Sequence, residues 1–158
     1  MPSIRFDGTD DFLVFTALSL SSDFTIIAIT KNVSVDSIVM GHSTLNRQIR
    51  IFQSASNCLT MYDGTNNPIS ATFTNSASGA RMNVWQRSGS TAKFFENNAI
   101  DKSSGSMGST TLEWIGKYSV AVLYLNADLG ELVIYNSALT SLQIQDLFTN
   151  YFQPKYTL

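Results

Sequence analysis

Between Leu129 and Phe152 the apolar period of the chain changes from two residues to nearly four, and that change restricts the folds open to it. In Leu129-Gly130-Glu131-Leu132-Val133-Ile134-Tyr135, alternation puts Leu129, Val133 and Tyr135 on one side and Leu132 and Ile134 on the other. Both sides are apolar, the pattern of a strand covered on both faces. Asn136-Ser137 is turn chemistry. Thr140 then reads as a helix N-cap with Gln143 three residues on, the spacing of a capping box. Leu142, Ile144, Leu147, Phe148, Tyr151 and Phe152 recur at roughly helical spacing, and Pro154 is expected to stop the helix.

Upstream of this stretch the chain reads as short strands separated by turns. Ile4–Leu13 is strand, turn and strand about Asp7-Gly8, with Phe6 and Phe12 as core candidates. Residues 18–22 read as a polar loop before the β-rich run Asp23–Thr30. Strands are expected over 37–41, 47–53 and 58–63, with a loop over 64–68. Met82–Arg87 and Thr91–Glu96 form a hairpin across Ser88-Gly89-Ser90, and Asn97-Asn98 makes the next turn. Asp101–Thr110 is a Ser/Gly loop; Leu112–Gly116 and Tyr118–Leu125 are further strands. Strands every eight to twelve residues indicate an antiparallel sandwich, and no longer repeat is present.

These 158 residues are enough to bury a core, and we read them as one domain, 1–158. Hydrophobic residues make up 44% and charged residues only 14%. Ser, Thr and Asn supply roughly 30% of the chain, a hydroxyl- and amide-rich surface suited to extracellular or virion proteins. Net charge is −2 and no basic run occurs, so no nucleic-acid footprint is present. The apolar runs are too short for a membrane span, and no secretory leader pattern precedes the first strand. Cys58 is the single cysteine, which excludes an intrachain disulfide and fits assembly in a reducing cytoplasm before display.

The run Gly130–Thr140, the helix and the ending Tyr151-Phe152-Gln153-Pro154-Lys155-Tyr156 together resemble the C-terminal signature of concanavalin A-like, laminin-G-type jelly-roll domains. Ile4-Arg5-Phe6-Asp7-Gly8-Thr9-Asp10-Asp11-Phe12-Leu13 resembles the first motif of that family, and Leu112–Gly116 one of its later strands. The chain departs from the pattern at Asn97-Asn98 and at Ala127, where the family carries glycine; Asn tolerates the left-handed conformation such a turn needs. The resemblance implies an all-β, two-sheet antiparallel jelly-roll sandwich with one short C-terminal helix and adjacent terminal strands. It also implies a use in binding glycans or protein surfaces, enzymes being a minority.

Glycan-cleaving relatives present paired carboxylates on one strand as E-x-D-x-E. Here Glu96, Glu113 and Glu131 are the only glutamates, each on a separate segment. His42 is the sole histidine and sits in a loop-like context, where a rim or ligand contact outweighs a catalytic role. Cys58 reads as a small buried apolar side chain. No cofactor is expected; calcium is the metal the resemblance raises, and the loop acids Asp7, Asp10, Asp11, Asp63, Asp101 and Asp128 form no ligand run for it.

Sugar recognition needs aromatic faces and planar polar groups. The middle strands offer Arg47, Arg50, Tyr62, Asp63, Asn83, Trp85 and Arg87, with His42 at a rim. Alternation puts Asn83, Trp85 and Arg87 on one face, as a binding surface or, equally, with Trp85 packed in the core; Trp114 is expected in the core. The leading reading is a non-catalytic module of a phage, virion or bacterial surface protein that binds a glycan or cell-surface receptor. The alternatives are a structural virion or fibre domain, possible as an oligomer, and a glycoside hydrolase.

Overall fold

The computed structural model describes residues 2–34, 37–53, 57–65, 69–73, 79–97, 105–118 and 123–158. Among them the strands are β1 (Ile4–Asp7), β2 (Leu13–Leu20), β3 (Phe24–Lys31), β4 (Ser37–Gly41), β5 (Gln48–Gln53), β6 (Asn57–Tyr62) and β7 (Ile69–Phe73). There follow β8 (Arg81–Ser88), β9 (Thr91–Glu96), β10 (Gly105–Ser106), β11 (Thr110–Ile115), β12 (Lys117–Tyr118), β13 (Leu123–Tyr124) and β14 (Asn126–Tyr135). Two six-stranded antiparallel sheets face each other. Sheet A has the order β1-β14-β3-β8-β9-β10 and sheet B the order β2-β11-β4-β5-β6-β7, while β12 and β13 form a separate ribbon. The terminal strands pair, Ile4 opposite Leu129 and Asp7 opposite Asn126. This is the expected two-sheet jelly-roll sandwich with a helical C-terminal appendage.

Two cores follow from the alternation. Phe24, Ile26 and Ala28 of β3 and Trp85 of β8 meet Met40, Ile49, Ile51, Leu59, Met61 and Phe73 of sheet B between the sheets. The opposite side chains, Ile27, Ile29, Met82, Val84 and Phe95, pack under Ile144, Phe148, Phe152 and Tyr156 of the C-terminal segment. Sheet A is thus covered on both faces, which is why β3 carries apolar residues on both of its sides. Burying each large apolar side chain of that segment contributes roughly 2 kcal/mol, so the helix closes a face that is otherwise unfit for water.

β14 carries apolar residues on both faces, as expected, but its sides are assigned differently from a plain alternation. A β-bulge lies between Leu129 and Glu131. The extra residue inverts the alternation, so Leu129 joins Leu132 and Ile134 against the inter-sheet core, and Val133 and Tyr135 face the helix.

The helix begins as read. The Thr140 hydroxyl accepts from the Gln143 N–H, and Gln143 Oε1 accepts from the Thr140 N–H. It does not stop before Pro154. α1 (Ser141–Leu147) widens into a π-helical turn over Phe148–Phe152 and continues as α2 (Gln153–Tyr156), ending at Thr157 with φ 55°. Pro154 stands at the start of α2, where a missing N–H is tolerated.

Other differences have local causes. β2 runs through Leu18 to Leu20 where a loop was expected, because Leu18 packs on the core. The strand β7 was not anticipated; Ala71 and Phe73 bury into the core from it. The expected strand 118–125 is instead divided between β12 and β13, with 119–122 outside the described residues. Parts of the loops 64–68 and 101–110 also lie outside them, and Gly105–Ser106 pairs with β9. Phe6 is buried as expected, whereas Phe12 is 38% exposed. Asn97 takes the left-handed conformation its turn needs, φ 52°.

Candidate functional site

Of the four sheet faces, two face each other and a third lies under the helix. The fourth is the outer face of sheet B. Because Ile49, Ile51, Leu59 and Met61 point inward, Gln48 and Arg50 of β5 and Thr60 and Tyr62 of β6 point outward. Gln48 lies opposite Tyr62 and Arg50 opposite Thr60, so the four side chains form a square on one face. The β12–β13 ribbon crosses β4 beside them. Gly41 permits the crossing, since a Cβ there would collide with the Lys117 carbonyl oxygen.

Tyr118 descends from the ribbon onto this square and is 5% exposed. Its hydroxyl donates to Asn46 Oδ1, which also accepts from Gln48 Nε2 at 3.3 Å. Burial, then the neighbouring Tyr62, pushes the Tyr118 phenol up, and Arg50 opposes the rise. Gln48 Oε1 is buried and accepts no hydrogen bond from the described residues, so this cluster holds an acceptor with spare capacity. Tyr62 and Arg50 are half-buried and form its accessible border.

The structure divides the sequence candidates. Arg50 and Tyr62 belong to the outer face. Arg47 is near but structural: its Nε donates to the Asp63 carbonyl at 3.2 Å. The Asp63 carboxylate, 3% exposed as a residue, accepts from the N–H groups of Thr65 at 2.9 Å and Gly108 at 2.6 Å and holds the loops together. His42 Nδ1 accepts from Thr44 and Leu45 N–H at 3.1 and 3.2 Å, shaping its own loop. Glu113 is held below the usual carboxylate range by hydrogen bonding to Ser43, whose N–H lies 2.7 Å from it.

Asn83, Trp85 and Arg87 share a face, but it is the inner one, so Asn83 and Trp85 present no surface and Arg87, at the end of β8, is half-buried. Asn83 and Trp85 are fully buried. Asn83 donates to Thr30 Oγ1 at 2.8 Å, and Arg87 donates to the carbonyls of Met107, Ser21 and Ser22. A strand in the middle of a doubly covered sheet has no solvent side. Trp114 corrects the reading in the other direction: it is half-buried and packs on Phe12 outside the core. Cys58 is also half-buried, on the outward side of β6.

Sequence reasoning placed Asn46 only in a rim loop, residues 42–46, and missed Gln48 and Tyr118. Alternation was the available signal for Gln48, since it pairs residue 48, not 47, with Arg50. Tyr118 could not be read locally, because the ribbon that carries it crosses from another part of the chain.

No arrangement for hydrolysis is assembled among the described residues. Glu96 is buried in sheet A, Glu113 binds Ser43, and Glu131 accepts from Lys155 at 2.7 Å and Tyr156 at 2.8 Å. Among the described residues no group of three His, Cys, Asp or Glu side chains is placed to hold a metal ion. Of the loop acids considered for calcium, Asp7 accepts from Thr9 N–H, Asp11 from Asp7 N–H, and Asp128 from Arg5 and Asn32. Asp101 lies outside the described residues. No described helix is long and apolar enough to cross a membrane.

No family model and no curated protein matches this sequence. Solved structures do match its backbone. A heptameric SAP-like pentraxin from Limulus polyphemus superposes with a TM-score of 0.68 at 13% identity, over 93% of this chain and 81% of the pentraxin. Domain 4 of a GH43 extracellular arabinanase from Geobacillus stearothermophilus, solved with arabinotriose, gives 0.60 at 14%, over 93% and 72%. Botulinum neurotoxin type C gives 0.57 at 13% over 84% of this chain, which spans only 36% of the toxin chain. With two antiparallel sheets, paired terminal strands and these structural counterparts, the chain is a jelly-roll β-sandwich of the concanavalin A-like fold.

Proposed function

We propose that this protein is a non-catalytic carbohydrate-recognition module whose ligand lies on the outer face of sheet B, bordered by Tyr62 and Arg50. The observation that carries the reading is the character of that face. Among the described residues it is the one sheet face closed by neither the partner sheet nor the helix, and half-buried Tyr62 and Arg50 stand on it beside the amides of Gln48 and Asn46. A phenol ring offers a sugar its apolar face, and the arginine and amides complement hydroxyls. Two structural counterparts add support: the arabinanase domain was solved with arabinotriose, and the neurotoxin structure is described in terms of two ganglioside molecules. A hydroxyl- and amide-rich surface supports placement on an extracellular or virion structure, within a single domain 1–158.

The test is a glycan array probed with the intact protein, followed by titration of the best glycan. Binding is expected, weakened at least about tenfold by Tyr62→Ala with an unchanged circular dichroism spectrum. Retained affinity in that variant would move the site elsewhere, and failure to bind any glycan would remove the reading.

A structural module without a small ligand is favoured by one feature. β2 is a free edge of sheet B with Leu13 and Val14 47% and 68% exposed, an edge suited to antiparallel pairing with a second copy. Sedimentation velocity decides: a dimer lost on Val14→Lys supports it, a monomer at all concentrations refutes it.

A further inference from the structure

On the far side of the β12–β13 ribbon from Tyr118 stands a second cluster. Successive strand residues point oppositely, so Lys117 leaves the ribbon on the side away from Tyr118. Its Nζ lies 4.1 Å from the Phe12 ring centroid, 4.8 Å from Trp114 and 5.4 Å from Tyr124. The Phe12 and Trp114 rings are 5.5 Å apart and inclined at 52°. Phe12 is exposed, and Trp114, Lys117 and Tyr124 are half-buried. Three segments supply these four residues: the turn before β2, the end of β11 and the ribbon.

Structure alone accounts poorly for this arrangement. Among the described residues no carboxylate pairs with Lys117, and its Nζ makes no hydrogen bond to them. Lys155, by contrast, has both, in Glu131 and Tyr151. A lysine ordinarily keeps its ammonium in water; this one is held over aromatic faces, with the N–H groups turned from the rings left for another acceptor.

We infer that Phe12, Trp114, Lys117 and Tyr124 form a binding site for an acidic sugar, one bearing a carboxylate. The inference rests on the carbohydrate reading for its ligand class but uses none of the residues of the Tyr62 face. The chemistry selects the ligand by elimination. A cationic ligand is opposed because the ammonium already occupies the aromatic cluster. A simple anion uses the ammonium and leaves the rings idle. A neutral sugar uses the rings and leaves the ammonium unpaired. A uronic or sialic acid uses both, its C–H face against the exposed ring edges and its carboxylate on Nζ, a charge-assisted contact.

The two tryptophans make the test specific. In the 15N-labelled protein the indole N–H of Trp114 reports the site, and that of fully buried Trp85 is an internal control. The protein is titrated with methyl glucuronide and sialyllactose as acidic probes, methyl glucoside as the neutral probe, and sodium sulfate. At millimolar concentrations at least one acidic sugar is expected to move the Trp114 signal and leave Trp85 in place. Lys117→Met should weaken that response about tenfold or more, Lys117→Arg should largely keep it, and Tyr62→Ala should leave it intact. Equal responses to acidic and neutral sugars, a response to sulfate matching that to the sugars, or a silent Trp114 up to about 50 mM of each acidic sugar would overturn the inference. A silent Trp114 with array binding that depends on Tyr62 overturns this site and leaves the proposed function standing. A responsive Trp114 with an unaffected Tyr62 face does the reverse for the location of the ligand.

Discussion

Arg81 and Glu96 are 2% and 0% exposed, on the inner side of sheet A beside Asn83. Burial pushes the Arg81 guanidinium below its ordinary range, and the Glu96 charge offsets that. Burying two charges is not in itself stabilising, but removing one leaves the other without compensation in a poor solvent for it. Glu96→Gln is therefore expected to cost about 3 kcal/mol in urea unfolding, while the double change Arg81→Met with Glu96→Leu recovers most of the loss. A neutral Glu96→Gln would refute the coupling. This end of the core also shows what residue types alone cannot convey. Asn83, Arg87 and Glu96 look like surface residues, yet Asn83 donates to Thr30 inside the sandwich, Glu96 is fully buried, and Arg87 donates to the Met107 carbonyl. Their common side was legible from spacing; whether that side met water depended on what the rest of the chain laid over it. Trp114 and Phe12 failed in the opposite sense, because aromatic character suggested burial and Lys117, from the strand that directly follows Trp114, covers them instead.

Among the elements, the C-terminal helix was the most readable, since its cap, period and apolar stripe are all local. The Gly130 bulge was not, because it depends on the register between β14 and β3. That bulge has an electrostatic consequence. Glu131 leaves the strand toward the helix and accepts from Tyr151, Lys155 and Tyr156. Burial works to raise its carboxyl, but the three hydrogen bonds together outweigh it and hold the group below 4.5, its ordinary value. Lys155 is raised above its ordinary 10.5, chiefly by the hydrogen bond to Glu131. A depressed acid stabilises the fold fully above 4.5 and loses that contribution as pH falls through the folded value. A raised base stabilises fully below 10.5 and loses it as pH rises past its folded value. Helix docking should therefore be strongest on a plateau between these limits. Glu131→Gln is expected to lower the thermal midpoint by a few degrees at pH 7 and by less at pH 3. An equal loss at both pH values would show that the carboxylate is not the anchor.

For the whole molecule, the controlling fact is that both ends of the chain meet at one strand. Ile4 pairs with Leu129, and the Tyr156 hydroxyl lies 3.4 Å from the Gly130 carbonyl oxygen and 2.8 Å from Glu131. β14 is the last strand in sequence yet sits between β1 and β3, so sheet A cannot close until the whole chain is available. The terminal motifs exposed this closure in the sequence; the crossing of the ribbon over β4 left no comparable trace, because a lone glycine, Gly41, marks it. Non-local pairing of this kind slows folding. Linking the ends through a short Gly/Ser segment and reopening the chain between Ser88 and Gly89 tests this. The β8–β9 tip there is open, and the new amino group can still donate to Asp23. The permutant should keep the wild-type circular dichroism spectrum. The β1–β14 separation falls to about 40 residues, but the β8–β9 hairpin becomes a pairing of the two new chain ends, so the permutant should refold no faster than the parent. Opening the chain within β8, between Val84 and Trp85, should abolish folding, since both side chains are fully buried and the strand is central to sheet A. A permutant opened at Gly89 that stays unfolded, or that refolds faster than the parent, would show that the distance along the chain between paired strands does not govern assembly of the sandwich.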